Sequence, residues 1–330
     1  MRIRFSLISG LSQIAVVLKL GTQVHALGPK MVTQTPRIEK VINGTPASIS
    51  DFPYAAFIYI NLRNSGEACA GALISPNYVL TAAHCLFNSD NSQFNPSDVY
   101  IGLGSQYNIE QNNQIYQASQ LIPNEKFNPV QVTDDIGLIK LSRSVPASVA
   151  VPGKIYNQEI VDNMPASAAG WGITSNDANA TISSILLEVP LVISSSSQCQ
   201  TLNPNWNGNN KRTVCTLNQN NQDTCYGDSG GPLSYTGDNS RPVIGVTSIG
   251  NAPGNPERPD CGLPGGGAFY THAFYYIDWI SKNTGISKSN LVFDPNSKYS
   301  SAINVQPGFL YICALSAFSA YILLSNNMFL

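Results

Sequence analysis

Charge is scarce in this chain. Only 12% of its 330 residues are acidic or basic, 18 Lys and Arg against 20 Asp and Glu, for a net charge of −2. That is roughly half the share usual in soluble domains, so Asn, Ser, Gln and Thr must supply most of the polar surface. No basic stripe exists, which removes the electrostatic footprint of a nucleic-acid binder. None of the seven cysteines forms a C-x-x-C pair, so the usual zinc-site spacing is missing too. The polar stretch 103–118 has Glu110 as its one acid, too little for a calcium loop, and no metal or other cofactor is expected. Histidine is nearly absent: His25, His84 and His272 are the whole set.

Both ends carry apolar segments. Arg2 and Arg4 precede an apolar run broken by Lys19, and Val24-His25-Ala26 offers small residues at a cleavage position. Residues 1–26 therefore read as a secretory signal peptide. At the other end, Phe309 to Leu324 carries no charge, and no Lys or Arg follows it. Sixteen such residues are short for the hydrocarbon core, although all 22 from Phe309 would reach across it. The missing basic flank argues against an ordinary single-pass anchor. Ser300, Ser301 and Ala302, followed by a polar spacer, fit a glycolipid (GPI) anchor signal whose tail, 309–330, is removed. A retained membrane helix is the alternative.

Between the ends, short β-rich runs alternate with Gly, Pro and Asn clusters. They include YAAFIYINL (54–62), DVYIGLG (98–104), IGLIKL (136–141), LEVPLVI (187–193) and RPVIGVTSI (241–249). Such spacing predicts an all-β barrel or sandwich. One segment, 273–285, reads as a helix: Phe274, Ile277 and Ile280 keep helical spacing and Gly285 can end it. Residues 286–308 read as an exposed linker. Cys69, Cys85, Cys199, Cys215, Cys225 and Cys261 lie in the β-rich region, with Cys313 apart in the tail. Six cysteines in an oxidising compartment pair in any of 15 ways, so spacing alone leaves connectivity open.

DTCYGDSGGPLS, residues 223–234, holds Ser229 between glycines. A serine nucleophile needs a base. His25 is expected to leave with the signal peptide, and His272, opening the terminal helix, suits an exposed or capping role. His84 ends the apolar run YVLTAAHC directly before Cys85, where a disulfide would fix its orientation. An acid must then hold the other imidazole nitrogen. Asp135 in TDDIGLIKL is the best candidate, and Asp134 points to the opposite side of an extended chain. Gly227 to Gly231 also matches the G-x-S-x-G elbow of esterases. That elbow requires a helix after the serine and the order Ser, acid, His. Gly-Gly-Pro-Leu follows here and the order is His84, Asp135, Ser229, so the esterase reading fails.

TAAHC, DDIGLIKL and DTCYGDSGGPL, with AGWG (169–172) and FYTHAFYYIDWI (269–280), resemble the trypsin-like, chymotrypsin-fold serine peptidases over Val41 to Gly285. The resemblance implies two six-stranded antiparallel β-barrels, the active site between them, and a closing C-terminal helix. It implies Ser229 as nucleophile, His84 as general base then acid, Asp135 as orienter, and the N–H groups of Gly227 and Ser229 as oxyanion hole. The implied disulfides are Cys69–Cys85, Cys199–Cys215 and Cys225–Cys261.

By the same resemblance Asp223, six residues before the serine, lies at the base of the specificity pocket, where a carboxylate would grip a substrate Arg or Lys. Gly250 matches one of the family's pocket glycines, but Ala268 stands at the other, and its methyl is expected to narrow the slot. Ser248-Ile249-Gly250 replaces the family's S-W-G, so the substrate-pairing edge lacks its Trp. The segment 251–260 is longer than usual and carries Glu257 and Arg258. VINGTPASISDFPY resembles the family's mature start, implying a propeptide 27–40, cleavage after Lys40, and a new terminus at Val41 that pairs with Asp228. Cleavage after Arg37 would leave three extra residues and no active enzyme. Asn179-Ala180-Thr181 is a glycosylation signal, whereas Asn43-Gly44-Thr45 falls where burial is expected. The expected activity is a secreted zymogen that cleaves protein or peptide substrates after Arg or Lys, is open to protease inhibitors, and is attached to the membrane only through its tail. Two alternatives are a peptidase-like binding or inhibitor protein without catalysis, and an active enzyme that Ala268 turns away from basic residues.

Overall fold

The structure, a computed structural model, describes residues 44–62, 65–253 and 259–296. The expected signal peptide, the propeptide with Lys40, and Val41 lie outside the described residues. So do Asn43, Glu257, Arg258 and everything from 297, including Cys313 and the apolar tail.

After the two-residue strand β1 (Thr45–Pro46), the first half builds β2 (Ala55–Leu62), β3 (Ser65–Ser75), β4 (Tyr78–Thr81), β5 (Val99–Gly102), β6 (Ile115–Pro123) and β7 (Gly137–Leu141). These close into an antiparallel barrel in the order β2-β3-β4-β7-β6-β5. β6 shows why: Tyr116, Ala118 and Leu121 turn inward between exposed glutamines and serine, the alternation of a strand with one dry face. Ile58, Leu73, Leu80, Val99, Ile101 and Leu138 fill the same core.

The second half contributes β8 (Pro165–Gly170), β9 (Leu187–Val192), β10 (Thr213–Leu217), β11 (Pro232–Tyr235), β12 (Val243–Asn251) and β13 (Gly267–His272). They join β1 in a seven-stranded sheet ordered β1-β9-β8-β11-β12-β13-β10. Among the described residues no ladder closes this sheet into the expected second six-stranded barrel. A single bridge, Ile193 to Thr216, brings β10 against the end of β9. Ser194 adds a hydrogen bond to the Cys215 carbonyl at 2.9 Å before the chain turns into the short helix α1 (Ser197–Leu202).

The expected helix is present: a 3₁₀ turn, Phe274–Tyr276, runs into α2 (Ile277–Thr284), which Gly285 ends at φ +71°. The segment read as an exposed linker is, in its first part, packed. It forms α3 (Lys288–Leu291), buries Leu291 and Phe293, and bridges Val292 to Ile155. Phe293 donates its N–H to the Ile155 carbonyl at 2.8 Å and stacks on Tyr156. Burying such side chains contributes about 1.5–3 kcal/mol each, which outweighs the exposure suggested by the polar flanks. Among the described residues no helix is long and apolar enough to cross a membrane.

Candidate active site

The turn around Ser229 is fixed by backbone geometry and by both halves of the fold. Gly227 sits at φ +97° and Gly230 at φ +81°, conformations that side chains rarely tolerate. A Cβ on Gly230 would also collide with the Ala70 carbonyl and the Thr81 hydroxyl. The Ser229 carbonyl accepts the Ala70 N–H from β3 at 2.7 Å, while Gly230 donates to Thr247 of β12 at 2.8 Å. The serine is thus clamped between the barrel and the sheet.

His84 follows β4 in a 3₁₀ turn, His84–Leu86, beside the Cys69–Cys85 disulfide. Its backbone N–H donates to Asp135 Oδ1 at 2.9 Å, and its Nδ1 lies 2.8 Å from Asp135 Oδ2. Asp135 is buried, and its Oδ2 also accepts the Ser248 hydroxyl at 2.6 Å. Its backbone carbonyl accepts the Thr271 hydroxyl at 2.7 Å. Burial disfavours the charged form of each partner. For His84 the Asp135 carboxylate overcomes that penalty and holds the pKa above the usual 6.5. For Asp135, burial opposes ionisation, but the charge and hydrogen bond of His84, then the Ser248 hydroxyl, keep its pKa below the usual range.

His84, Ser229 and Asp223 border one cavity of about 450 Å³. Ile249 and Gly250 form part of its wall, and the 38%-exposed Tyr226 stands at the same cavity. Asp223 is buried beneath it. Its Oδ2 accepts the Asn218 side-chain amide and the Gly262 N–H, each at 2.9 Å, whereas its Oδ1 has no hydrogen-bond partner. Burial pushes its pKa up to about 6, against the pull of the hydrogen bonds from Gly262 and Asn218 and, more weakly, of the neighbouring Thr224 N–H. The carboxylate is thus buried, hydrogen-bonded through one oxygen, and at the border of the cavity.

Asp228 is buried as well, and burial again raises its pKa to about 6. Its two oxygens accept the N–H groups of Gly172 and Cys225 at 2.8 and 2.9 Å. Among the described residues no Lys, Arg or His pairs with it. Glycine at 170 and 172 makes room for it, since a Cβ at either position would meet the carboxylate.

The six central cysteines pair as Cys69–Cys85, Cys199–Cys215 and Cys225–Cys261, the pairs that the resemblance implies. Among the described residues, one grouping has metal-ligand spacing: Cys69, His84 and Cys85. Its two sulfurs are bound to each other, which leaves no thiolate for a metal.

Two expectations change. His272 is neither exposed nor at a helix start. It ends β13, where pairing with Gly245 extends the strand, and its buried Nδ1–H donates to the Lys211 carbonyl at 3.0 Å. Burial lowers its pKa to about 4, so the ring is neutral. Ala268 is fully buried in β13 opposite Gly250 and is not among the residues bordering the cavity. Sequence reasoning missed the Asp135 contacts of Ser248 and Thr271 and the Asn218 contact to Asp223. Only Asn218 is near its partner in sequence; Ser248 and Thr271 reach Asp135 across 113 and 136 residues, a distance no local spacing encodes.

Comparison with known proteins agrees with this architecture. Residues 41–280 match the family described as Trypsin. Brachyurin of Leptuca pugilator is 30% identical over 249 residues, covering 75% of this chain and all of that protein. Chymotrypsin-2 of Vespa crabro is 31% identical over 247 residues, 74% of this chain and 99% of the relative. Trypsin-1 of Astacus astacus is 29% identical over 254 residues, again 74% of this chain and 99% of the relative. The chain belongs to the trypsin family of serine proteases, hydrolases whose substrates are proteins.

Proposed function

We propose that this protein is a zymogen whose mature form cleaves peptide bonds after Arg or Lys through an acyl-enzyme. The observation that carries the specificity is the unpartnered Oδ1 of buried Asp223 at the cavity that also contains His84 and Ser229. Relatives named both chymotrypsin and trypsin match at similar identity, so overall similarity does not decide the preference. The buried carboxylate is what supports Arg or Lys.

In the proposed reaction the substrate's basic side chain lies in the cavity and pairs with Asp223. Ser229 Oγ attacks the scissile carbonyl carbon while His84 Nε2 takes the hydroxyl proton. The negative oxygen of the tetrahedral intermediate is held by the N–H groups of Gly227 and Ser229, donors worth a few kcal/mol each at such positions. The C–N bond then breaks, and His84 returns the proton to the leaving amine. Water, deprotonated by His84, attacks the resulting ester and releases the acid and Ser229. Asp135 keeps the proton on His84 Nδ1 and stabilises the imidazolium. Its hydrogen bonds from Ser248 and the His84 backbone leave it little freedom to turn away.

Activation follows from Asp228. A carboxylate with two N–H donors and no cation is incompletely compensated, and an ammonium at Val41 would complete it. Chain cut after Lys40 should therefore gain at least about a hundredfold in ester hydrolysis, a difference equivalent to ~3 kcal/mol in transition-state stabilisation. Chain cut after Arg37 should stay at the uncut level. Equal activity of uncut and Lys40-cut protein would remove the zymogen proposal.

Secretion, a glycan on Asn179 and replacement of the tail by a glycolipid complete the proposal. Asn179 is exposed on its loop, as a glycosylated residue must be. Intact mass of the protein from a secretory host should show a glycan at Asn179 and a lipid-bearing terminus near residue 300. An unmodified chain ending at Leu330 contradicts both.

A further inference from the structure

Four hydrogen bonds converge on the wall segment 259–262 of the cavity. Tyr226 donates its hydroxyl to the Pro259 carbonyl at 3.1 Å, and the Gly262 N–H donates to Asp223 Oδ2 at 2.9 Å. The other two belong to one side chain. Asn176 Nδ2 donates to the Cys261 carbonyl at 3.0 Å, and the Cys261 N–H donates to Asn176 Oδ1 at 2.9 Å. A single amide thus grips both polar groups of one residue's backbone, 85 positions away in sequence.

The loop bearing Asn176 does not need that amide for its own shape. Ile173 and Ile182 bridge its ends, and the Ser175 hydroxyl with Asp177 makes its turn. The same loop also backs the serine turn: Ile173 donates to the Tyr226 carbonyl at 2.8 Å, and Ile182 lies 3.2 Å from where a Cβ on Gly227 would stand. The disulfide to Cys225 ties Cys261 at its sulfur only, which leaves its peptide planes free to turn. Fixing a plane takes a donor and an acceptor together, and among side chains of this length only Asn carries both on one rigid group.

We propose that Asn176 is a specificity-positioning residue. Through Cys261 it sets the direction of the Gly262 N–H, which holds Asp223 Oδ2 and leaves Oδ1 for the substrate's cation. This rests on the Arg/Lys function proposed above. The position of the wall should matter for substrate grip and not for the chemistry at Ser229.

The test uses the full chain cut after Lys40, with Asn176→Leu, which is nearly isosteric and lacks both polar groups, and Asn176→Asp, which keeps the acceptor alone. Four quantities are read: KM and kcat for an Arg ester, the benzamidine inhibition constant, and the rate of Ser229 modification by a small alkyl sulfonyl fluoride that does not fill the pocket. Asn176→Leu should raise KM and the benzamidine inhibition constant together by about fivefold, the scale of one net hydrogen bond. Asn176→Asp should raise both by about twofold to threefold, with kcat and sulfonylation unchanged in either variant. Unchanged benzamidine inhibition, or a fall in kcat and sulfonylation at constant KM, overturns the assignment. If Asn176→Leu does not fold, Asn176→Asp decides alone. If the unsubstituted enzyme neither binds benzamidine nor cuts after Arg or Lys, it is the Asp223 proposal that fails. The Asn176 assignment is then judged by KM for whichever side chain that enzyme prefers.

Discussion

Asp223→Asn should lower kcat/KM for Arg and Lys esters by about a thousandfold, because removing one partner of a buried charge pair costs about 3–5 kcal/mol. Hydrolysis of an ester with a neutral side chain should fall far less, since nothing in the chemistry at Ser229 needs that charge. The same substitution should make the free protein more stable at pH 8. Burial holds the Asp223 pKa near 6, above its ordinary 3.8, so between those values the folded protein binds more protons than the unfolded chain. Stability then falls as pH rises through that window, and the penalty is complete above pH 6. Asn carries no charge and escapes it, although its amide protons also lack a full set of partners. The net gain should be about 1–3 kcal/mol at pH 8, seen as a melting temperature raised by a few degrees, and it should shrink towards zero near pH 4. A variant that melts lower than the parent at pH 8 would show that the carboxylate is satisfied in the fold.

Ser229→Ala and His84→Ala should each reduce kcat for peptide and ester substrates by about 10⁴-fold to 10⁶-fold, and combining them should add almost nothing, because the two act as one unit. Ser229→Ala should melt within a degree or two of the parent, since the structure secures this turn through backbone atoms at Ser229 and Gly230. Activity of the parent should fall on the acid side as His84 takes up a proton. Its raised pKa places that limb above 6.5, and Asp135→Asn, which removes the charge responsible, should shift it to lower pH. Ser229→Ala with unchanged turnover would dismiss the serine as nucleophile.

Much of this site could be read along the chain because its parts sit in short motifs. TAAHC delivers His84, DDIGLIKL delivers Asp135, and the glycines of GDSGG announce a turn that needs positive φ at Gly227 and Gly230. The five quoted β runs all became strands, because alternation and β-branching are local signals. What escaped was long-range. Whether the second sheet closes depends on the path between β9 and β10, and residues 194–212 gave no strand pattern to judge it by. Leu291 and Phe293 lie in the segment expected to be an exposed linker, and their partners Ile155 and Tyr156 are more than 130 residues away in sequence. His272, expected to open the helix, ends β13 instead, and the helical turn begins two residues later at Phe274. Ala268, expected to narrow the slot, is fully buried in β13 and pairs with Gly250 of the cavity wall.

The most direct test is the cleavage preference of the enzyme begun at Val41, measured on a set of peptide esters that differ only in the side chain before the cut. The account predicts that Arg and Lys are cleaved at least about a hundredfold faster than Tyr or Leu, the discrimination expected of a buried carboxylate that only a cation satisfies. Equal or faster cleavage after Tyr or Leu would contradict it.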